Sequence, residues 1–243
     1  GCGGIMTTHV KGLVGRKEAV SISYLCDVDP RQIDRMANAM NGFQSKPAKR
    51  TSRFEDVIGD KNVDAVIIAT PHHWHAPIAL AAMMEGKDLY IEKPISHVYN
   101  EGHLIIEAAK KYKRVVQHGT QKRSSQGRAN EMAAIHSEKY GKLLVSKGYC
   151  CKPRWSIGKK PTGDAPAGLD FNLWLGPAPE RPYQAGYHPF KWRAWLDFGT
   201  GALGDMGCHI LDPACWALDL MNPSSITAEV KHHKPELAGK AHP

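Results

Sequence analysis

The chain has 243 residues, 42% hydrophobic and 23% charged, a balance that supports a packed core and excludes a disordered or low-complexity protein. The formal charge is +8, but the basic residues are scattered (Lys46, Lys49, Arg50, Lys110, Lys111, Lys113) rather than gathered on one helix, so no nucleic-acid partner is read from them. No apolar run is long enough to span a membrane.

In chain order, Gly1-Cys2-Gly3-Gly4-Ile5-Met6 reads as a glycine-rich turn opening directly into a helix over residues 3–13. Such a turn follows an apolar strand, so a strand is expected ahead of Gly1, and the chain reads as a piece truncated at both ends. Compartment is left to what lies upstream: cytoplasmic, or periplasmic if a signal peptide precedes the turn. Residues 20–26 form a β-rich run ending at Asp27, and Pro30 starts a helix over 30–41. A helical turn over 54–58 precedes the strongest strand signal, 64–69, apolar on both faces as in a sheet covered by helices on both sides. Helix 77–85, strand 88–91, helix 98–112 and strand 114–117 complete an alternation that predicts a doubly wound parallel α/β sheet. Beyond residue 120 the pattern changes. A helix over 127–137 leads to a strand over 142–149, then a Pro-, Gly- and Trp-rich segment over 153–200 that reads as a functional loop or lid. A helix over 201–220 and a strand over 226–231 follow. The domains are accordingly placed at 1–120 and 121–243, the second truncated.

The six cysteines form no Cys-x-x-Cys pair, and most sit in apolar stretches and read as buried thiols, so no metal is expected. In the opening turn the first glycine permits the tight bend, the second lets backbone N–H groups approach a pyrophosphate, and the helix start adds partial positive charge. Asp27 ends the next strand 21 residues after Met6, near the spacing at which a carboxylate holds ribose hydroxyls. Its alternative role is a helix N-cap. A carboxylate there disfavours a 2′-phosphate, so NAD is the expected cofactor, while Arg31 keeps NADP open.

Glu92-Lys93-Pro94 lies at the carboxyl end of a strand, the edge where open α/β sheets bind ligands. On the later helix, Asp205, His209, Asp212 and Trp216 share one stripe, and a carboxylate one turn before a histidine can orient its ring as a proton acceptor. A hydrogen-bonded core histidine is the competing reading. His72, His73 and His75 surround Trp74 after Thr70-Pro71; their side chains diverge on a turn, which favours loop contacts over a metal. Trp155, Trp174, Trp192 and Trp195 read as core, or alternatively as a platform for a sugar ring.

Taken together, the G-x-G-G-x-x-x-x-H start, Thr70-Pro71 followed by His75, Glu92-Lys93-Pro94 and Asp205-x-x-x-His209-x-x-Asp212 resemble the Gfo/Idh/MocA oxidoreductases, in the same order and over essentially the whole chain. The resemblance implies a Rossmann domain followed by an α/β domain with a large, mostly antiparallel open sheet that mediates homodimers or homotetramers. It implies hydride transfer between NAD(P) and a secondary alcohol of a sugar, glycoside or cyclitol. Lys93 would polarise the reacting oxygen, His209 would exchange the proton, and Asp205 would orient the site. The implied cofactor contacts are Gly1, Gly3, Gly4, Ile5, Met6, Asp27, Thr70, Pro71, His72, His75, Glu92, Lys93, Gln121, Trp192 and Arg193. Lys93, Arg123, Asp205 and His209 would meet the substrate. Met6 in place of a third glycine, and His72 where a small polar residue is usual, depart from the family pattern. The region over residues 170–209 resembles a branch often found in secreted or periplasmic bacterial proteins, some of which oxidise glycosides at C3. The alternatives are a redox-assisted glycosidase using the same residues, and a cofactor-bound sensor without catalysis.

Overall fold

The computed structural model describes residues 1–16, 18–151, 157–158, 160–220 and 222–229. Helix α1 (Gly4–Val14) opens from the glycine turn and is followed by β1 (Tyr24–Cys26), α2 (Pro30–Ala39), β2 (Lys49–Thr51) and α3 (Phe54–Ile58). The alternation continues with β3 (Ala65–Ile68), α4 (His75–Met84), β4 (Asp88–Glu92), α5 (Tyr99–Tyr112) and β5 (Val116–Gly119). These five strands pair in parallel throughout, and the described residues add one isolated antiparallel bridge, between Thr162 and Gln184. The strands fall into two sheets, β1–β2 and β3–β4–β5, rather than one.

Local chemistry explains these elements. The α2 helix starts with Pro30 behind Asp29, whose carboxylate accepts the Arg31 amide, and it buries Ile33 and Met36 one turn apart. In α4, Ala76, Ile78, Ala79, Ala82 and Met83 are all buried, as expected of a helix apolar on every side. The α5 helix begins where Glu101 accepts the amides of His97 and Val98, and it ends at Lys113 in the left-handed region. Central strand β4 pairs on both sides and buries Leu89 and Ile91 in the aliphatic core with Ile68, Ile105 and Ala108.

Strand β3 differs from the expectation of coverage on both faces. Ala65 is exposed and Val66 and Ile67 are only half-buried, because the strand pairs on one side alone. Its other side borders a cavity of about 1310 Å³ that is also lined by Tyr24–Cys26 of β1. Among the described residues no strand lies between the two; Gly1 rests against Ala69 and Thr70 at the end of β3.

Helix α6 (Gln126–His136), α7 (Phe171–Leu175) and α8 (Gly201–Ala217) make up the rest. The strand expected over 142–149 does not form: the segment is in no regular element and exposes Leu144, Val145 and Tyr149. A β-rich run becomes a strand only with a partner for its backbone groups, and none is offered here among the described residues. Of the strand expected over 226–231, residues 226–229 are likewise irregular, and 230–231 lie outside the described residues, as does Trp155.

The segment expected to be a long loop has a core of its own. Leu169, Trp174, Leu175, Tyr183, Tyr187, Trp192 and Phe198 are buried together. Trp174 lies against Phe198 and near Phe171 and Tyr187, so it is core rather than a sugar platform. No helix among the described residues is long and apolar enough to cross a membrane.

Candidate active site

The carboxyl ends of the strands and the buried aromatic segment enclose one end of the large cavity. Every expected site residue borders it except Arg123: the glycine turn, Asp27, Thr70, Pro71, His72, His75, Glu92, Lys93, Gln121, Trp192, Arg193, Asp205 and His209 all do. Arg123 is engaged elsewhere. Its guanidinium binds Asp212 at 2.9–3.1 Å and lies 4.6 Å from the Trp216 ring, which ties the turn before α6 to α8.

At the cofactor end, Gly1 has no room for a side chain: an added Cβ would stand 2.7 Å from the Ala69 carbonyl oxygen. Gly3 caps α1 without any side-chain hydrogen bond, and a Cβ on it would meet no protein atom, only open space. The first N–H groups of α1 therefore remain available to an anion. Asp27 accepts the Cys2 amide at 2.7 Å on one oxygen and the Asp29 amide at 2.9 Å on the other. Its alternative role as N-cap of α2 is taken by Asp29. The Thr70 hydroxyl, on the cavity wall, is buried without a hydrogen-bond partner. An uncapped helix start, a carboxylate fixed at its foot and an orphaned hydroxyl fit the pyrophosphate and ribose of a dinucleotide. Met6 faces the cavity and packs against the cluster of Val10, Leu25 and Met36, which fills the place a third glycine would leave small.

The three histidines after Thr70-Pro71 do separate jobs. His75 is almost fully buried, with its ring nitrogens 2.7 Å from the Pro94 carbonyl and 3.0 Å from that of Thr70, so it joins two cavity walls. His73 reaches across to the carbonyls of Trp174 at 3.1 Å and Phe198 at 3.4 Å and does not border the cavity. His72 meets the Thr200 hydroxyl at 3.2 Å and the Trp192 ring edge-on at 4.7 Å. Burial first, then the charges of neighbouring His75, Arg193 and Lys93, push His72 down to about 2. Among the described residues no group of His, Cys, Asp and Glu could hold a metal ion.

At the chemical end, the Lys93 ammonium donates to the Asp205 carboxylate at 2.7 Å and to its backbone carbonyl at 2.9 Å. Both side chains are largely buried, and Arg193 stands 3.7 Å from the same carboxylate oxygen. Thus Asp205 meets Lys93, where the helix stripe suggested that it would orient His209. One turn further along α8, His209 borders the cavity half-buried. Burial and the charge of Lys93 lower its pKa, which keeps the ring neutral and able to accept a proton. Behind Lys93, Glu92 accepts the Lys93 amide at 3.1 Å and the His9 ring N–H at 2.8 Å. Burial works to raise the Glu92 pKa, but the His9 and Lys93 bonds outweigh it and hold the carboxyl below its usual range. The His9 contact was visible only as the last letter of the opening motif. The His188-Pro189-Phe190 stretch, which borders the cavity from the second half, carried no signal at all.

A glycine turn leading into a helix, a parallel sheet and a ligand cavity at the strand ends define an NAD-binding Rossmann protein. The comparisons with known proteins agree. A family model described as "Oxidoreductase family, NAD-binding Rossmann fold" matches residues 1–120, and its companion, "Oxidoreductase family, C-terminal alpha/beta domain", matches 142–240. The chain belongs to the Gfo/Idh/MocA oxidoreductase family. It is 30% identical over 149 residues to an inositol 2-dehydrogenase of Salmonella typhimurium, covering 61% of this chain and 43% of that protein. It is 32% identical over 108 residues to a glycosyl hydrolase family 109 protein of Shewanella pealeana, covering 42% of this chain and 23% of that protein. In fold it is similar to the WlbA dehydrogenase of Chromobacterium violaceum, solved with NADH and UDP-GlcNAcA. The TM-score is 0.66 at 20% identity, over 90% of this chain and 53% of that one. The chain thus spans about half, or less, of the length of these relatives.

Proposed function

We propose that the protein oxidises a secondary alcohol of a sugar, glycoside or cyclitol reversibly, with NAD as the redox partner. The observation that carries this reading is the meeting of Lys93 and Asp205 at 2.7 Å in the cavity that also holds the glycine turn and His209. When bound, NAD supplies the hydride acceptor. The chain's own residues handle the proton and the charge. The neutral His209 ring takes the hydroxyl proton, for which its lowered pKa suits it. The Lys93 ammonium, held by Asp205, stabilises the negative charge that develops on the substrate oxygen. The aromatic segment covers this end and keeps water from the reacting atoms. Gln121, Trp192 and Arg193, on the same wall, are proposed to shape the pocket around nicotinamide and substrate.

A second reading, a redox-assisted glycosidase that passes through a transient keto-sugar and leaves NAD unchanged overall, is favoured by the similarity to glycosyl hydrolase family 109 proteins. The test is absorbance of the reduced nicotinamide on the full-length protein with sugars, cyclitols and glycosides, beside Lys93→Ala. We expect net NADH with one substrate class and a loss of about a thousandfold or more in the variant. Aglycone release without net NADH would select the glycosidase. No turnover of any kind would leave a cofactor-bound sensor.

A further inference from the structure

Two carboxylates stand where β1 gives way to α2, and they are held differently. Asp27 borders the cavity, fixed by the Cys2 and Asp29 amides. Asp29 is fully buried. One of its oxygens accepts the Arg31 amide at 3.0 Å and the Arg31 Nε at 2.8 Å; the other accepts an Arg31 terminal nitrogen at 2.8 Å. The guanidinium is therefore held in a bidentate pair along its Nε–Nη edge by a side chain two residues before it, a geometry in which arginine and carboxylate bind strongly. Arg31 does not border the cavity, whereas Gln32 and Arg35, further along the same helix, do.

We propose that Asp29 is a specificity-determining residue, which anchors and neutralises Arg31 and so withholds from a 2′-phosphate the cation it would need beside Asp27. A ribose held by Asp27 would bring a 2′-phosphate against a carboxylate, a repulsion that NAD avoids. The first turn of α2 would otherwise suit an anion, since helix starts carry partial positive charge and Arg31 lies there. Other nearby groups do not replace it. His188 stands 3.6 Å from Asp29, and its burial lowers its pKa and leaves it neutral. Arg35 donates to the Cys2 carbonyl at 2.7 Å, within the turn that NAD and NADP share.

The inference rests on the NAD reading of the glycine turn and not on the sugar reaction, so its test is binding without substrate. Dissociation constants of NADH and NADPH would be measured by fluorescence on the full-length protein. Asp29→Asn keeps an oxygen to cap α2 but loses the charge that holds Arg31. It is expected to tighten NADPH by about three- to tenfold and to change NADH by less than about twofold. Adding Arg31→Ala should return NADPH to its wild-type affinity. Arg31→Ala alone, which touches no cap, should leave the ratio of the two constants within about twofold. An unchanged ratio in Asp29→Asn, or a gain that survives in the double variant, overturns the proposal. So does a weakening of NADPH by about tenfold in Arg31→Ala alone, because Arg31 would then already serve the phosphate. No NADH binding by the wild type would overturn the cofactor reading itself.

Discussion

Around β3, β4 and β5 the core is aliphatic, and its residues sit on regular elements whose periodicity sorts them inward. Between residues 160 and 200 an equally buried core is made mostly of aromatic rings on a chain whose regular structure is one five-residue α-helix and one four-residue 3-10 helix, joined by turns. The first region satisfies its backbone through ladders between neighbouring strands. The second leans on contacts to the first: Trp74 and His73 both reach the Trp174 carbonyl, and His97 reaches that of Leu196. A sheet can bury residues by alternation. A loop does so only if large rings fill the space and its carbonyls find donors elsewhere. In this protein the loop-borne core also lines one end of the cavity, through Trp174 and Trp192.

The dependence is sharpest at Asp205, which joins α8 to Lys93 across 112 positions of sequence. Asp205→Asn should lower kcat by about a hundredfold while NADH binding stays within about twofold. An equal loss of cofactor affinity would mean that Asp205 merely holds the two regions together.

Stability variants probe whether the regions are one cooperative unit. Phe198 is fully buried against Trp174 and Tyr187, and Phe198→Ala should cost about 3–5 kcal/mol. Ile91→Ala, at a fully buried position of β4, should cost about 2–5 kcal/mol. If both variants move one shared transition, read by far- and near-ultraviolet circular dichroism, the regions fold together. A separate early loss of the near-ultraviolet signal in Phe198→Ala alone would show the aromatic segment to be an independent layer.

The smallest expected effect is on pH dependence. Burial lowers His75 from 6.5 to about 4. The unfolded chain thus binds a proton in that interval that the folded chain does not. His75 leaves stability intact above about pH 6.5 and takes it away progressively as pH falls toward 4. The denaturation midpoint should fall across this range in the wild type and fall less steeply in His75→Asn. Identical slopes would assign the acid sensitivity to other groups, His72 first among them.

The alternation of strands and helices, the glycine turn, the helix start at Pro30 and the position of Lys93 at a strand end were all legible in the sequence, whereas the N-cap, offered there as Asp27, is Asp29. Each depends on residues within a turn or two of one another, and the backbone obeys such neighbours whatever surrounds them. Tertiary structure decided the rest. It gave Asp205 to Lys93, drew Arg123 onto Asp212, turned Arg31 back onto Asp29 and left residues 142–149 without a strand partner. A side chain's reach covers several candidate partners, and only the assembled chain shows which of them is nearest and which backbone groups still lack a donor.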